Sequence, residues 1–152
     1  MADDDLTIEL SFKTFPARYT CEGEEMSPPV SIRGCTSEYL ALIMDDPDCP
    51  TGTFDHWLIW NIKGTNLIPE NISHEEHPTE LPGSSQGLNT GRELGYMGPC
   101  PPRGRPHRYY FKVYGLGEPL DLRPGASKVR LEKAMVGKVL QYGEAMATFQ
   151  RV

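Results

Sequence analysis

The 152-residue chain has no apolar run near the ~18 residues that a membrane span requires, and no long basic run. Twenty-one acidic residues against fifteen basic ones give a formal charge of −6. Such a surface repels phosphate backbones and anionic bilayers, so neither nucleic acid binding nor stable membrane insertion is expected. The acidic Met1–Asp5 start lacks the apolar core of a signal peptide, and the expectation is a cytoplasmic protein. The four cysteines, Cys21, Cys35, Cys49 and Cys100, form no C-x-x-C pair, which argues against a zinc knuckle. In a cytosolic chain they are expected as free thiols. There is no Gly-x-Ser-x-Gly elbow, and no Ser or Cys stands in evident relation to a base and an oxyanion hole. Internal repeats and low-complexity segments are also lacking.

Backbone punctuation is what the chain has in excess. Fifteen glycines and fourteen prolines make up about 19% of it, against roughly 12% on average. A helical bundle could not accommodate that many breakers, so the length and the turns predict one domain, residues 1–152, of strands and loops. Leu6, Ile8, Leu10 and Phe12 alternate with polar residues, the period of a strand with one wet face. Tyr39–Met44 is an apolar run of strand length. Phe54–Ile62 is apolar on both faces except for Asp55, His56 and Asn61, the pattern of a central strand. Lys63–Gly98 is polar and aperiodic, and short turns are expected there. Tyr109–Tyr114 is a further strand. Ser127 can cap a helix over Lys128–Tyr142 with Gly143 as its stop, and Ala145–Val152 reads as a last strand.

Two polar loops directly adjoin buried strands. In Asp46-Pro47-Asp48-Cys49-Pro50 two prolines fix the backbone, so two carboxylates are held in place; the Asp-Pro and Cys-Pro bonds are the realistic places for a cis peptide. A plain strand-exit turn would account for the same residues. Gly98 to Arg108 combines Gly and Pro with Arg103, Arg105 and Arg108. Such a loop presents backbone N–H groups at fixed angles and suits an anion, or is a stiffened connection with solvated arginines. His56 and His107 each lie at a strong strand. Were those strands neighbours, two imidazoles and two carboxylates would converge, and burying them together costs several kcal/mol unless they pair or bind something. His74 and His77, in an acidic loop, read as a solvated patch. Trp57, Trp60 and Tyr109, Tyr110 and Tyr114 read as core, with one or two free to wall a pocket.

Motifs in order along nearly the whole chain resemble the phosphatidylethanolamine-binding protein family, which includes the Raf kinase inhibitor proteins, and within it the short bacterial and archaeal branch. They are Tyr19-Thr20-Cys21-Glu22-Gly23, Ser27-Pro28-Pro29, Asp46-Pro47-Asp48-Cys49-Pro50, His56-Trp57, Gly87-Leu88-Asn89, Gly95-Tyr96, Gly98-Pro99-Cys100-Pro101-Pro102 and His107-Arg108-Tyr109. The resemblance implies a mainly β fold, a large antiparallel sheet packed on a smaller one with one or two short helices. It also implies a pocket for small anions such as phosphate, carboxylate or phosphorylethanolamine-like lipid headgroups. Carried over, the ligand-binding residues are Asp46, Asp48, His56, Gly98, Pro99, Cys100, Pro101, His107 and Tyr109.

Two departures from the family pattern are Cys49, where a small residue is usual, and Arg105-Pro106 before His107-Arg108. The longer animal members carry a C-terminal extension that this sequence, ending at Val152, does not show. The expected function is non-enzymatic binding, with regulation of a protein partner such as a kinase or protease; no cofactor or metal is expected. The alternative is a weak hydrolase or metal-assisted enzyme using the Asp/His cluster. In the binding reading Asp46 and Asp48 orient the imidazoles or meet an ammonium, and a carboxylate neighbour raises the histidine pKa. If the two loops touch, Cys49 and Cys100 admit either a disulfide or a redox-sensitive thiol pair.

Overall fold

The computed structural model describes residues 5–152; the acidic start, apart from Asp5, lies outside them. The elements are β1 (Thr7–Glu9), β2 (Val30–Arg33), β3 (Tyr39–Asp46), β4 (Phe54–Lys63), β5 (Leu67–Ile68), β6 (Ser85–Gln86), β7 (His107–Leu116), α1 (Lys128–Met135) and β8 (Val139–Phe149). A 3-10 turn at Ala17–Tyr19 precedes β2. The strands form two antiparallel sheets, a small one in the order β1-β2-β5 and a large one in the order β6-β4-β3-β7-β8. The fold is mainly β, a large sheet on a smaller one, as the motifs imply. No described helix is long and apolar enough to cross a membrane.

Alternation along the long strands divides the interior into two apolar clusters. Leu40, Leu42 and Met44 of β3 join Tyr109, Phe111 and Val113 of β7 against Ile8, Val30 and Ile32 of the small sheet. Ala41 and Ile43 point the other way, where Leu131 and Met135 of α1 cover them together with Leu58 and Trp60. The continuous apolar reading of Tyr39–Met44 and Phe54–Ile62 follows from this burial on both faces.

One irregularity decides where the functional side chains go. Met44 pairs with Trp57, but the next residue, Asp45, pairs with Asp55, so His56 is an extra residue in β4. This β-bulge resets the alternation. Both His56 and Trp57 face the small-sheet side, His56 among the cavity-lining residues and Trp57 in the inter-sheet core. Without the bulge His56 would sit on the opposite face.

Three sequence expectations change. The helix ends at Met135, not Tyr142, and β8 begins at Val139. Gly137, at φ 79°, turns the chain back, and residues 139–149 pair along the whole of β7; closing that sheet edge outweighs the local helical pattern of Val139 and Leu140, both of which are exposed. Gly143, expected as a helix stop, is opposite Val113 in this ladder. Second, β1 is shorter than the Leu6–Phe12 alternation; Leu10 and Phe12 pack against the inter-sheet core beyond the strand end. Third, the cysteines are not all free. Cys21 and Cys100 form a disulfide across 79 positions, with Cα atoms 5.4 Å apart, while Cys35 and Cys49 are thiols. Folding brings the turn at Cys21 onto the Gly98-Pro99-Cys100 loop, where the Cys21 amide donates to Pro99 O over 3.1 Å; spacing along the chain carries no trace of that contact. The described peptide bonds are all trans, including both Asp-Pro and Cys-Pro. The polar segment from Lys63 contains only the two-residue β5 and β6 among turns.

Candidate functional site

β3 and β7 are direct neighbours, and both end at the same edge of the large sheet. The register ends with Asp45 opposite Tyr110, so Asp46, the last residue of β3, falls at Tyr109 and reaches diagonally along the same face to His107, the first residue of β7. The His107 ring donates from Nδ1 to Asp46 Oδ2 over 2.7 Å, and both side chains are buried. A carboxylate can only accept, which assigns the proton to Nδ1 and leaves Nε2 as the other functional ring atom. The second carboxylate oxygen, Asp46 Oδ1, accepts the Asp48 amide at 2.7 Å. Asp46 thus closes its own turn and fixes an imidazole.

His56 is held differently. Its Nδ1 donates to Met97 O over 2.6 Å, and the Met97 amide returns a bond to His56 O at 2.9 Å. Burial pushes the His56 pKa below its ordinary value, although the nearby Asp46, Asp55 and Asp45 charges oppose the shift. The expectation that a carboxylate neighbour dominates is therefore corrected for this ring: desolvation of the cation exceeds the Coulomb attraction.

Tyr109 lies between the two imidazoles, its ring edge-on to His56 at 5.3 Å and stacked on His107 at 6.5 Å. The residue is 0% exposed, and its hydroxyl has no hydrogen-bond partner among the described residues. Burial and the charges of Asp46, Cys49 and Asp48 push its pKa far up, so the hydroxyl keeps its proton and is a donor in want of an acceptor.

These groups wall a cavity of about 180 Å³, lined by Asp46, Cys49, Phe54, His56, Met97, Gly98, Cys100, Pro101, Pro102, His107 and Tyr109. Of the nine residues expected from the motifs, seven lie on it. Pro99 is turned to the Cys21 amide instead. Asp48 is the other exception, and its role as an orienter of imidazoles is corrected. It receives the Arg108 amide and Nε at 2.9 Å and Nη2 at 2.8 Å. That bidentate pairing holds the Asp48 carboxyl at about 2, below its ordinary 3.8. Asp48 therefore staples the residue after His107, one position removed from the cavity.

The opposite wall is built by residues 96–102, tied to the loop after the 3-10 turn. Tyr96 Oη donates to Tyr19 O at 2.6 Å, the Gly98 amide donates to Glu25 Oε2 at 3.0 Å, and the disulfide joins Cys100 to Cys21. A Cβ on Gly98 would lie 2.6 Å from Tyr19 O, so only glycine lets the two segments approach this closely. With its amide spent on Glu25, Gly98 does not offer the N–H that a glycine-rich anion loop suggests.

Phe54 and Met97 are wall residues that the motifs did not single out. Phe54 stands two positions before His56 on the same strand, with ring centroids 4.6 Å apart, and period-2 alternation points to it. Met97 adjoins the Gly98 motif but carries no polar signal of its own. Among the described residues no group of three or more His, Cys, Asp or Glu is placed to hold a metal ion. His74 and His77 are exposed, yet each ring bonds a backbone carbonyl, that of Tyr96 at 2.9 Å and of Ser84 at 3.0 Å. Trp57, Trp60 and Tyr109 are fully buried, and Tyr110 and Tyr114 half-buried.

Comparison with known proteins agrees with this architecture. Over 139 residues the chain is 48% identical to a UPF0098 protein of Pyrococcus horikoshii, a match spanning 90% of this chain and 70% of that one. It superposes on the crystal structure of a phosphatidylethanolamine-binding protein homologue from Chlamydia trachomatis with a TM-score of 0.87 and 31% identity, covering 98% of this chain and 99% of that one. E. coli YbcL, a member of the mammalian family of that name, superposes with the same TM-score of 0.87 at 23% identity over 97% and 99% of the two chains, a likeness of fold. The model of the phosphatidylethanolamine-binding protein family matches residues 10–150, and the chain belongs to that family.

Proposed function

We propose that the cavity binds small anions, phosphate or carboxylate groups, either free or carried on a lipid headgroup or a partner protein such as a kinase or protease, and that binding is its role. The observation that carries this reading is the convergence on one small cavity of two buried imidazoles and a buried tyrosine hydroxyl without an acceptor. An anionic oxygen would satisfy the hydroxyl directly. Each imidazole has its Nδ1 proton committed, to Met97 O or to Asp46, so Nε2 presents a lone pair when the ring is neutral. An anion is then held by Nε2 only if a proton arrives with it. On His107 that proton would place a cation between the Asp46 carboxylate and the ligand, a favourable order of charges.

The same geometry bears on the zwitterionic headgroup that the family name suggests. Asp48 is paired with Arg108 and Asp46 with His107, so the ammonium has no uncommitted carboxylate in the wall, and recognition rests on the phosphate. Calorimetric titration with inorganic phosphate and with phosphorylethanolamine tests the proposal. Saturable binding of both with comparable affinity, weakened in His107→Gln and Tyr109→Phe, is expected; no saturable heat, or equal affinity in the variants, would overturn it.

A further inference from the structure

Cys49 stands where the family pattern has a small residue, and it is one of two thiols outside the disulfide. It shares the cavity wall with Asp46, His107 and Tyr109. Its Sγ lies 3.5 Å from Thr51 Oγ1, a hydroxyl able to donate to a thiolate. Asp46 fixes the His107 ring by its Nδ1 proton and leaves Nε2 as a base. Nucleophile, base and orienting carboxylate are thereby gathered on one cavity of about 180 Å³, the composition of an activated thiol site. The fully buried Tyr109 hydroxyl in the same wall, without a partner among the described residues, calls for an acceptor oxygen there. The other thiol is a contrast: Cys35 lies in a separate groove with Arg33 and Asn66, its Sγ 3.6 Å from Ser37 O.

We propose that Cys49 is a ligand-directed nucleophile, and that the cavity captures small electrophilic carboxylates of the α,β-unsaturated class as thioethers. The inference rests on the anion-site reading, since the carboxylate is what seats the reactive carbon. His107 Nε2 accepts the Cys49 proton, which is the proton that the seated carboxylate requires there, and the sulfur forms a bond to the β-carbon. The π pair moves to the α-carbon, which takes the proton back from the His107 imidazolium. Nothing is oxidised or reduced, and no group leaves. Apolar walls at Phe54, Met97 and Pro101 leave room for a short hydrocarbon stem and exclude a charged one.

Iodoacetate and neutral iodoacetamide are the probes: sulfur displaces iodide from carbon and the thiol proton passes to His107. Without reductant, so that Cys21–Cys100 stays closed, the labelling rates of Cys49 and Cys35 are measured on the same molecules by peptide mass spectrometry. With iodoacetate, Cys49 is expected to react roughly tenfold or more faster than Cys35, as positioned reactants do, with a rate that saturates. With iodoacetamide that advantage should shrink. His107→Gln should slow Cys49 and leave Cys35 unchanged, the Cys35 rate reporting that the variant is folded. An equal Cys49-to-Cys35 ratio with both reagents overturns the proposal. If phosphate binds calorimetrically while that ratio is flat, the thiol chemistry falls and the anion site stands. If the ratio favours iodoacetate but phosphate does not bind, the thiol chemistry stands on carboxylates and the phosphate reading falls.

Discussion

Asp46 and His107, 61 positions apart, share a buried hydrogen bond of 2.7 Å at the shared edge of two neighbouring strands. Replacing Asp46 by Ala removes the acceptor of both the His107 ring and the Asp48 amide. A buried donor left unpaired costs about 1–3 kcal/mol, so the urea midpoint should fall. Phosphate affinity, measured by calorimetry, should fall with it, because the ring loses its fixed orientation; an Asp46→Ala protein with unchanged affinity would show that orientation is immaterial.

Anion affinity should rise as pH falls. Acetate is a suitable probe because it stays ionised down to about pH 6, while histidine titrates across this range. Binding that requires a proton on Nε2 gains up to about one decade of affinity per pH unit for each proton taken up. Titrations in buffers of different ionisation enthalpy measure that uptake. An affinity that is flat from pH 8 to pH 6, with no proton taken up, contradicts the paired-proton account.

The depressed pKa of His56 makes a separate prediction for stability without ligand. Between the unfolded value of 6.5 and the lower folded value, the unfolded chain holds a proton that the folded one does not. Stability is therefore full above about pH 6.5 and is lost as pH falls towards the folded pKa. His56→Gln should flatten this part of the denaturant-midpoint profile. Loss attributable to Asp48 belongs to a different window, from its ordinary 3.8 down to about 2.

The Cys21–Cys100 bond closes a loop of 79 positions. In the chain-entropy account such a closure is worth about 4–5 kcal/mol, so the double variant Cys21→Ser/Cys100→Ser, like the reduced wild type, should unfold at lower urea. Since Cys100 is also a wall residue, phosphate binding should weaken in the variant. A midpoint insensitive to reductant would show that the bond does not carry this part of the fold.

β3, β4 and β7 of the large sheet were legible because their apolar runs are long, whereas the two-residue β6 lay unseen in a polar stretch. The helix boundary was not legible: Val139 and Leu140 continue the helical spacing, yet Val139 pairs with Leu116 of β7 and Leu140 sits at the bulge before Gln141, because a sheet edge supplies hydrogen bonds that a local pattern cannot anticipate. Among the site residues, His56 and His107 stood out as polar groups in apolar strands. Phe54 and Met97 did not, since an apolar wall looks like core until the cavity is seen.

What the sequence determined by itself is the residue inventory and the local stiffness: strands by alternation, turns by proline and glycine, and ordered motifs sufficient for the family. Tertiary structure decided the partners. A single extra residue opposite β3 turns His56 inwards, Asp46 receives His107 while Asp48 is spent on Arg108, and Cys100 joins Cys21 rather than Cys49. The physical reason is common to all of these. Hydrogen bonds, ion pairs and disulfides form over a few ångströms, and which groups come that close depends on strand register and loop docking, quantities that the whole fold sets and no short stretch of chain encodes.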